Sequence, residues 1–157
     1  MQELQIQNSK QLKEIHEMLN LQYGFTEKIR DVFLLSEKKQ KLYIFTHDMV
    51  DVELGKVRID SMGLYFGAIV DGQIRLSIEG SQIIGPRCTK NIIELEKSEM
   101  QTWIRGDKIT LDEKQKEKLQ GFVIIKYKND YLGAGKVAGE ILLNYIPKTR
   151  YVHADYE

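Results

Sequence analysis

Asp71-Gly72 stands between two runs that alternate apolar and polar residues, and it constrains the fold of this chain more than any other pair. Phe66, Ala68 and Val70 share one face before it, and Ile74, Leu76 and Ile78 share one face after it. Both central positions of a type I′ turn need positive φ, which Asp and Gly tolerate, so the pattern predicts a tight antiparallel hairpin. A second hairpin is predicted from Gly121 to Val137, with strands at Phe122 to Tyr127 and Tyr131 to Val137. Further strands are expected at Val32 to Leu35, Leu42 to Phe45, Asn91 to Leu95, Ile141 to Tyr145 and Thr149 to His153.

Helical spacing is confined to short stretches. Leu12, Ile15, Met18 and Leu19 form one apolar stripe, predicting a helix from Lys10 to Leu21 capped by Ser9 and stopped at Gly24. A brief helix near Met49 to Leu54, capped by Thr46 or Asp48, follows the second strand. Gly80 to Pro86 suits one helical turn. Ser98 is positioned to cap a helix to Arg105 that buries Met100, Trp103 and Ile104 and ends at Gly106. Asp112 to Lys118 is a charge run without an apolar stripe and reads as a solvated turn or loop. Helices mixed with antiparallel strands place the chain in the α+β class. Gly85-Pro86 closes the first half, so two domains are expected, 1–88 and 89–157.

The bulk composition excludes several classes. A hydrophobic content of 42% supports a packed core. No apolar run approaches the roughly 20 residues that span a bilayer, and the first residues lack the pattern of a secretory signal. One cysteine, Cys88, leaves no intrachain disulfide and fits a reducing, cytoplasmic setting. The 23 basic and 23 acidic side chains balance, so any contact with nucleic acid has to be local and shape-selective.

No constellation points to catalysis. His16, His47 and His153 are far apart, without metal-ligand spacing. Cys88 follows Arg87 but has no histidine nearby in sequence. Gly80-Ser81 is followed by Gln82-Ile83-Ile84, which is no nucleophile elbow. Gly133-Ala134-Gly135-Lys136 lacks the phosphate-loop spacing and reads as a strand with a close backbone approach. Glu94 with Glu96, and Asp155 with Glu157, are solvated acids. No metal site, catalytic residue or cofactor is therefore assigned, and Trp103 is read as a core anchor.

What remains is a glycine elbow and a set of cations. From Trp103 to Ile109 the chain closes a helix at Gly106 and starts a strand, with Arg105 and Lys108 flanking the bend. Such a bend can aim two cations and free backbone amides at a phosphate. Lys148, Thr149, Arg150 and Tyr151 make a second cationic and hydroxyl-rich corner after Pro147, and Lys136 lies on the glycine-containing strand. Cations beside aromatic rings contact phosphates and stack on bases.

From about Asn91 to His153 the sequence resembles the PUA domain, the RNA-binding module of pseudouridine synthases and archaeosine transglycosylases. The carriers are Ile92-Ile93-Glu94-Leu95, Trp103-Ile104-Arg105-Gly106, Phe122 to Tyr127 and Leu132-Gly133-Ala134-Gly135-Lys136. The first half is similar to the domain preceding PUA in small two-domain archaeal proteins, themselves similar to a eukaryotic large-subunit ribosome-biogenesis factor. Its carriers are Val32-Phe33-Leu34-Leu35, Leu42-Tyr43-Ile44-Phe45 and Ser61 to Gly67.

The resemblance implies a mixed β pseudobarrel that docks RNA on the helix–glycine elbow and a nearby strand. The candidate RNA-binding residues are then Arg105, Gly106, Lys108, Lys136, Lys148, Arg150 and Tyr151. The expected function is non-enzymatic binding of structured rRNA or tRNA in ribosome biogenesis or RNA modification. A ribosome-assembly or RNA-modification protein is the expected partner, with neither membrane nor DNA involved. The alternative is a protein-interaction adaptor whose barrel does not bind RNA. The charged segment Asp112 to Lys118 departs from the proline–glycine turn of many PUA domains.

Overall fold

The computed structural model describes residues 4–45 and 63–152. The expected helix near Met49 to Leu54, His47 and His153 lie outside the described residues. The first sheet is antiparallel, in the order β1 (Leu4–Ile6), β2 (Val32–Ser36), β3 (Lys41–Phe45), β4 (Leu64–Val70) and β5 (Gln73–Leu76). The predicted hairpin is present, with Asp71 at φ 51° and Gly72 at φ 76°. Strand β1 has only three residues and carries no legible alternation.

Helix α1 (Ser9–Tyr23) covers one face of this sheet. Asn8, not Ser9, caps it: Asn8 Oδ1 accepts from Gln11 N at 2.9 Å, and Gln11 Oε1 accepts from Asn8 N at 2.9 Å. Two reciprocal bonds satisfy two orphan amides where a lone serine would satisfy one. Gly24 ends the helix in the left-handed conformation, as expected. Ile15, Leu19 and Tyr23 meet Phe33, Leu42 and Ile74 in the first core.

Simple alternation fails in β4. Leu42 pairs with Gly67 but Tyr43 pairs with Tyr65, so Phe66 is an extra residue, a β-bulge. Phe66 turns fully into the core, and Tyr65 stays on the outer face beside Tyr43. Ser77 secures the bulge: its Oγ donates to Tyr65 O at 2.6 Å, and its amide donates to Phe66 O at 2.9 Å. The same Ser77 Oγ accepts from Gly80 N at 2.8 Å and starts α2 (Ile78–Ile84). Ile78 thus belongs to a helix and not to the hairpin. A 3-10 turn, Gly85–Arg87, follows.

The second sheet is mixed, in the order β6 (Ile92–Glu94), β8 (Phe122–Tyr127), β9 (Asp130–Ala138), β10 (Ile141–Asn144) and β7 (Ile109–Thr110). It curls into the expected half-barrel, so the α+β reading holds. Strands β6 and β8 run parallel, joined through α3 (Lys97–Ile104), β7 and α4 (Glu113–Lys118). The segment read as a solvated turn is therefore the helix α4, capped reciprocally by Asp112 and Gln115 and lacking any buried residue. Lys116 ties it to Glu113 and Glu140, each at 3.4 Å.

Two amide side chains fasten the sheets together. Gln22 Nε2 donates to Phe122 O at 3.2 Å, and Gln22 Oε1 accepts from Ile74 N at 2.9 Å. Gln73 Oε1 accepts from Phe122 N at 3.1 Å. Buried polar groups hold such positions only when they are hydrogen-bonded. Ile124 of β8 joins the first core, and its neighbours Val123 and Ile125 point into the second, with Ile93, Trp103 and Leu142.

Candidate nucleic-acid interface

The elbow is built on Trp103. Its side chain is fully buried against Gly135, where a Cβ would come within 2.9 Å of the indole. This is the close backbone approach that the glycine-containing strand predicted. Glu96, not Ser98, caps α3, through a reciprocal pair with Glu99. The helix closes at Gly106, whose φ of 94° disfavours any side chain. A Cβ there would lie 2.4 Å from the Tyr151 ring, so that ring rests directly on the bend.

The terminal segment is fixed to the same bend. Val152 N donates to Ile104 O at 2.8 Å. Asn144 Nδ2 donates to Trp103 O at 2.7 Å and to Asp107 O at 3.0 Å, and Asn144 Oδ1 accepts from Ile146 N at 2.9 Å. Gly106, Tyr151 and the flanking Arg105 and Lys108, both exposed, are thus brought together. One expectation is corrected: the bend does not present its amides to an anion. Gly106 N donates to Trp103 O at 2.9 Å, and Asp107 N to Thr102 O at 3.3 Å. Anion contacts at the elbow fall to the side chains.

The remaining candidates divide. The expected strand from Thr149 to His153 is absent among the described residues. Pro147 turns the chain into a 3-10 helix, Lys148–Arg150, closed by Arg150 N donating to Pro147 O at 2.8 Å. Lys148 is exposed one turn from Tyr151, whose amide donates to Lys148 O at 3.3 Å. Arg150 reaches away from the elbow to Glu79, with 2.8 Å between Nη1 and Oε1. Burial alone would raise the Glu79 carboxyl, but the hydrogen bond from Arg150 outweighs it and holds the group below its ordinary value. Lys136 sits on the opposite sheet face from Trp103: its neighbour Gly135 meets the indole, and Lys136 Nζ lies 5.3 Å from the centre of the Phe122 ring. Lys136 therefore does not belong to the elbow group.

The structure also shows a surface that the sequence did not announce. Lys41, Tyr43, Tyr65 and Arg75 lie on the outer face of the first sheet, away from α1. Lys41 Nζ is 5.5 Å from the Tyr65 ring centre, and the Arg75 guanidinium is 5.1 Å from that of Tyr145. Between this face and the segment after β10 runs a cleft of about 580 Å³. Thr149 and Arg150 line its far side. The one sequence signal was the Lys41-Leu42-Tyr43-Ile44 alternation, which puts a cation and an aromatic on the same side.

Among the described residues no group of three or more His, Cys, Asp or Glu side chains is placed to hold a metal ion. Burial pushes the Cys88 thiol up to about 12, away from the thiolate a nucleophile needs. His16 is structural: its Nδ1 is 2.8 Å from Leu12 O, and its Nε2 accepts from Ile29 N at 3.0 Å.

Comparison with known proteins agrees with the fold of the second half. Residues 90–151 match the family model of the Methyltransferase RsmF PUA domain. Residues 90–151 are thus similar to a PUA domain. Over 111 residues the chain is 24% identical to the ribosomal RNA small subunit methyltransferase F of Aeromonas salmonicida. That similarity covers 71% of this chain and 22% of the methyltransferase, so it extends past the PUA domain into the first half. The matched PUA segment contains the Gly106 elbow, both hairpin strands β8 and β9, and Tyr151. No helix of the described residues is long and apolar enough to cross a membrane.

Proposed function

We propose that this protein binds structured RNA through its PUA domain and catalyses no reaction itself, acting in ribosome biogenesis or RNA modification in the cytoplasm. The observation that carries the reading is the Tyr151 ring seated on Gly106, with Val152 bonded to Ile104. That packing seats Tyr151, one turn after Lys148, against the bend flanked by Arg105 and Lys108, which supports reading this corner as a shelf for a sugar-phosphate backbone. Ribosomal RNA is favoured over transfer RNA because the similar methyltransferase carries small-subunit ribosomal RNA in its name. The first half supplies a second surface, for RNA or for an RNA-modification or ribosome-assembly protein.

Filter binding to ribosomal RNA fragments across a salt series tests the shelf. Arg105→Ala with Lys108→Ala is expected to weaken binding to many RNAs together. It should also flatten the log–log salt slope by roughly 1.4–1.8, the loss of two phosphate contacts. An unchanged slope removes the elbow from the interface. The second reading, an adaptor that binds protein, draws on the occupied elbow amides and on Glu79 holding Arg150. Co-purification of a protein partner that survives ribonuclease, with no retention of RNA, decides for the adaptor.

A further inference from the structure

We propose that the cleft between the outer face of the first sheet and the 3-10 turn Lys148–Arg150 takes an unpaired nucleotide of the RNA held at the elbow. The inference rests on the RNA-binding reading of the PUA domain and adds to it a second contact of different chemistry. The first support is the composition of the walls. Lys41 with Tyr65, and Arg75 with Tyr145, are cation–aromatic pairs, and all four residues line the cleft. Among the described residues neither Lys41 nor Arg75 has a carboxylate partner in an ion pair. An aromatic ring or a guanidinium plane stacks on any base, and an uncompensated cation meets its phosphate. The volume of about 580 Å³ lies within the range of small-ligand clefts.

The second support is continuity. Tyr151 faces the elbow, while the adjacent Thr149 and Arg150 line the cleft. The turn is therefore a common wall, and a strand leaving the elbow passes over it into the cleft. Duplex RNA presents its bases inward, so only a single-stranded tail, bulge or loop can use rings set in a cleft. An acidic peptide would engage the cations but would gain little from two tyrosine-bearing walls contiguous with a phosphate shelf. The rigid positions of the walls come from the Phe66 bulge, which turns Tyr65 outward, and from Phe122, whose ring meets Tyr145 edge-on at 5.6 Å.

The test compares two RNAs, a blunt hairpin and the same hairpin with a uridine tail, binding to the full chain. Wild type is expected to bind the tailed RNA more tightly, by roughly five- to a hundredfold for one stacked base. Arg75→Gln with Tyr145→Leu should abolish that difference and leave blunt-hairpin affinity unchanged; a melting curve checks the fold. A 4-thiouridine in the tail should crosslink wild type at Tyr65 or Tyr145. Equal wild-type affinity for the two RNAs overturns the cleft proposal while the elbow reading stands. So do crosslinks confined to residues outside the cleft. Failure to bind either RNA overturns both.

Discussion

Strands β3 and β8 carry similar numbers of apolar residues but expose opposite habits. In β3 burial alternates from Lys41 to Ile44, with Leu42 and Ile44 inward and Lys41 and Tyr43 outward, before Phe45 is buried on the outer face. In β8 four successive residues, Phe122 to Ile125, are buried, because one side packs on Trp103 and the other on the first core. A sheet covered on both faces reads as a continuous apolar run, and a sheet covered on one face alternates. The difference dictates where each half can meet a partner. Around β8 the second sheet is covered on both faces, so the contacts proposed for that half lie beside it, at the elbow. The first sheet carries Lys41, Tyr43, Tyr65 and Arg75 on its outer face, beside buried Leu34 and Phe45.

The contrast is open to direct attack. The largest effect is expected from Trp103→Ala, which empties the centre of the second core and should lower stability by about 3–5 kcal/mol. Trp103→Phe should restore most of it, since the indole nitrogen has no hydrogen-bond partner and its loss removes a buried unsatisfied donor. Denaturant titration measures both. Ile124→Ala comes next, at about 2–4 kcal/mol. Because Ile124 belongs to the first core while its strand belongs to the second sheet, fluorescence and far-ultraviolet dichroism should shift together. Loss of one half with the other intact would show that β8 does not bind the halves into one unit.

Gly106→Ala is a smaller change with a local reading. It combines strain at φ 94° with a clash against Tyr151, for about 1–3 kcal/mol, and should release the terminal segment. Faster hydrogen exchange at Val152 is the expected signature, alongside weaker RNA binding. The smallest effect is that of Glu79→Gln. The Glu79–Arg150 pair is partly exposed and contributes under about 1 kcal/mol. The folded Glu79 carboxyl lies below its unfolded value, so the contribution is present above the ordinary glutamate range and disappears as pH falls through the folded value. Wild type and variant should therefore converge in stability in acid. The same variant frees Arg150 and should tighten RNA binding a few-fold at low salt if the cation reaches phosphate.

The legible parts of this chain were those governed by local rules. Asp71-Gly72 fixed a hairpin, Gly106 fixed a helix end, and Trp103 behaved as the core anchor its size demands. The caps were misplaced by one or two residues, from Ser9 to Asn8 and from Ser98 to Glu96, because the reciprocal side chains Gln11 and Glu99 outweigh the hydroxyl preference. Helix α4 escaped notice because nothing in it is buried; its Asp112–Gln115 box was present, but an apolar stripe was the signal sought. Arg150 was grouped with the elbow cations, whereas tertiary packing brings Glu79 to it. The cleft left a single trace in the sequence, the Lys41 to Ile44 alternation. Its residues come from β3, β4, β5 and the segment after β10, and Tyr65 faces outward only because a bulge shifts the register.

The parallel pairing of β6 with β8 has a consequence for how the chain is made. As the nascent polypeptide emerges, Ile92 and Ile93 must wait for α3, β7 and α4 to be synthesised before their hydrogen-bonding partner exists. Until then an apolar strand edge stands open to other chains, the situation in which misassembly competes with folding. Helix α4, short, capped and studded with charge, lies between that waiting edge and its late partner. Slower translation upstream of Phe122 would lengthen the interval and raise the chance of aggregation during biogenesis.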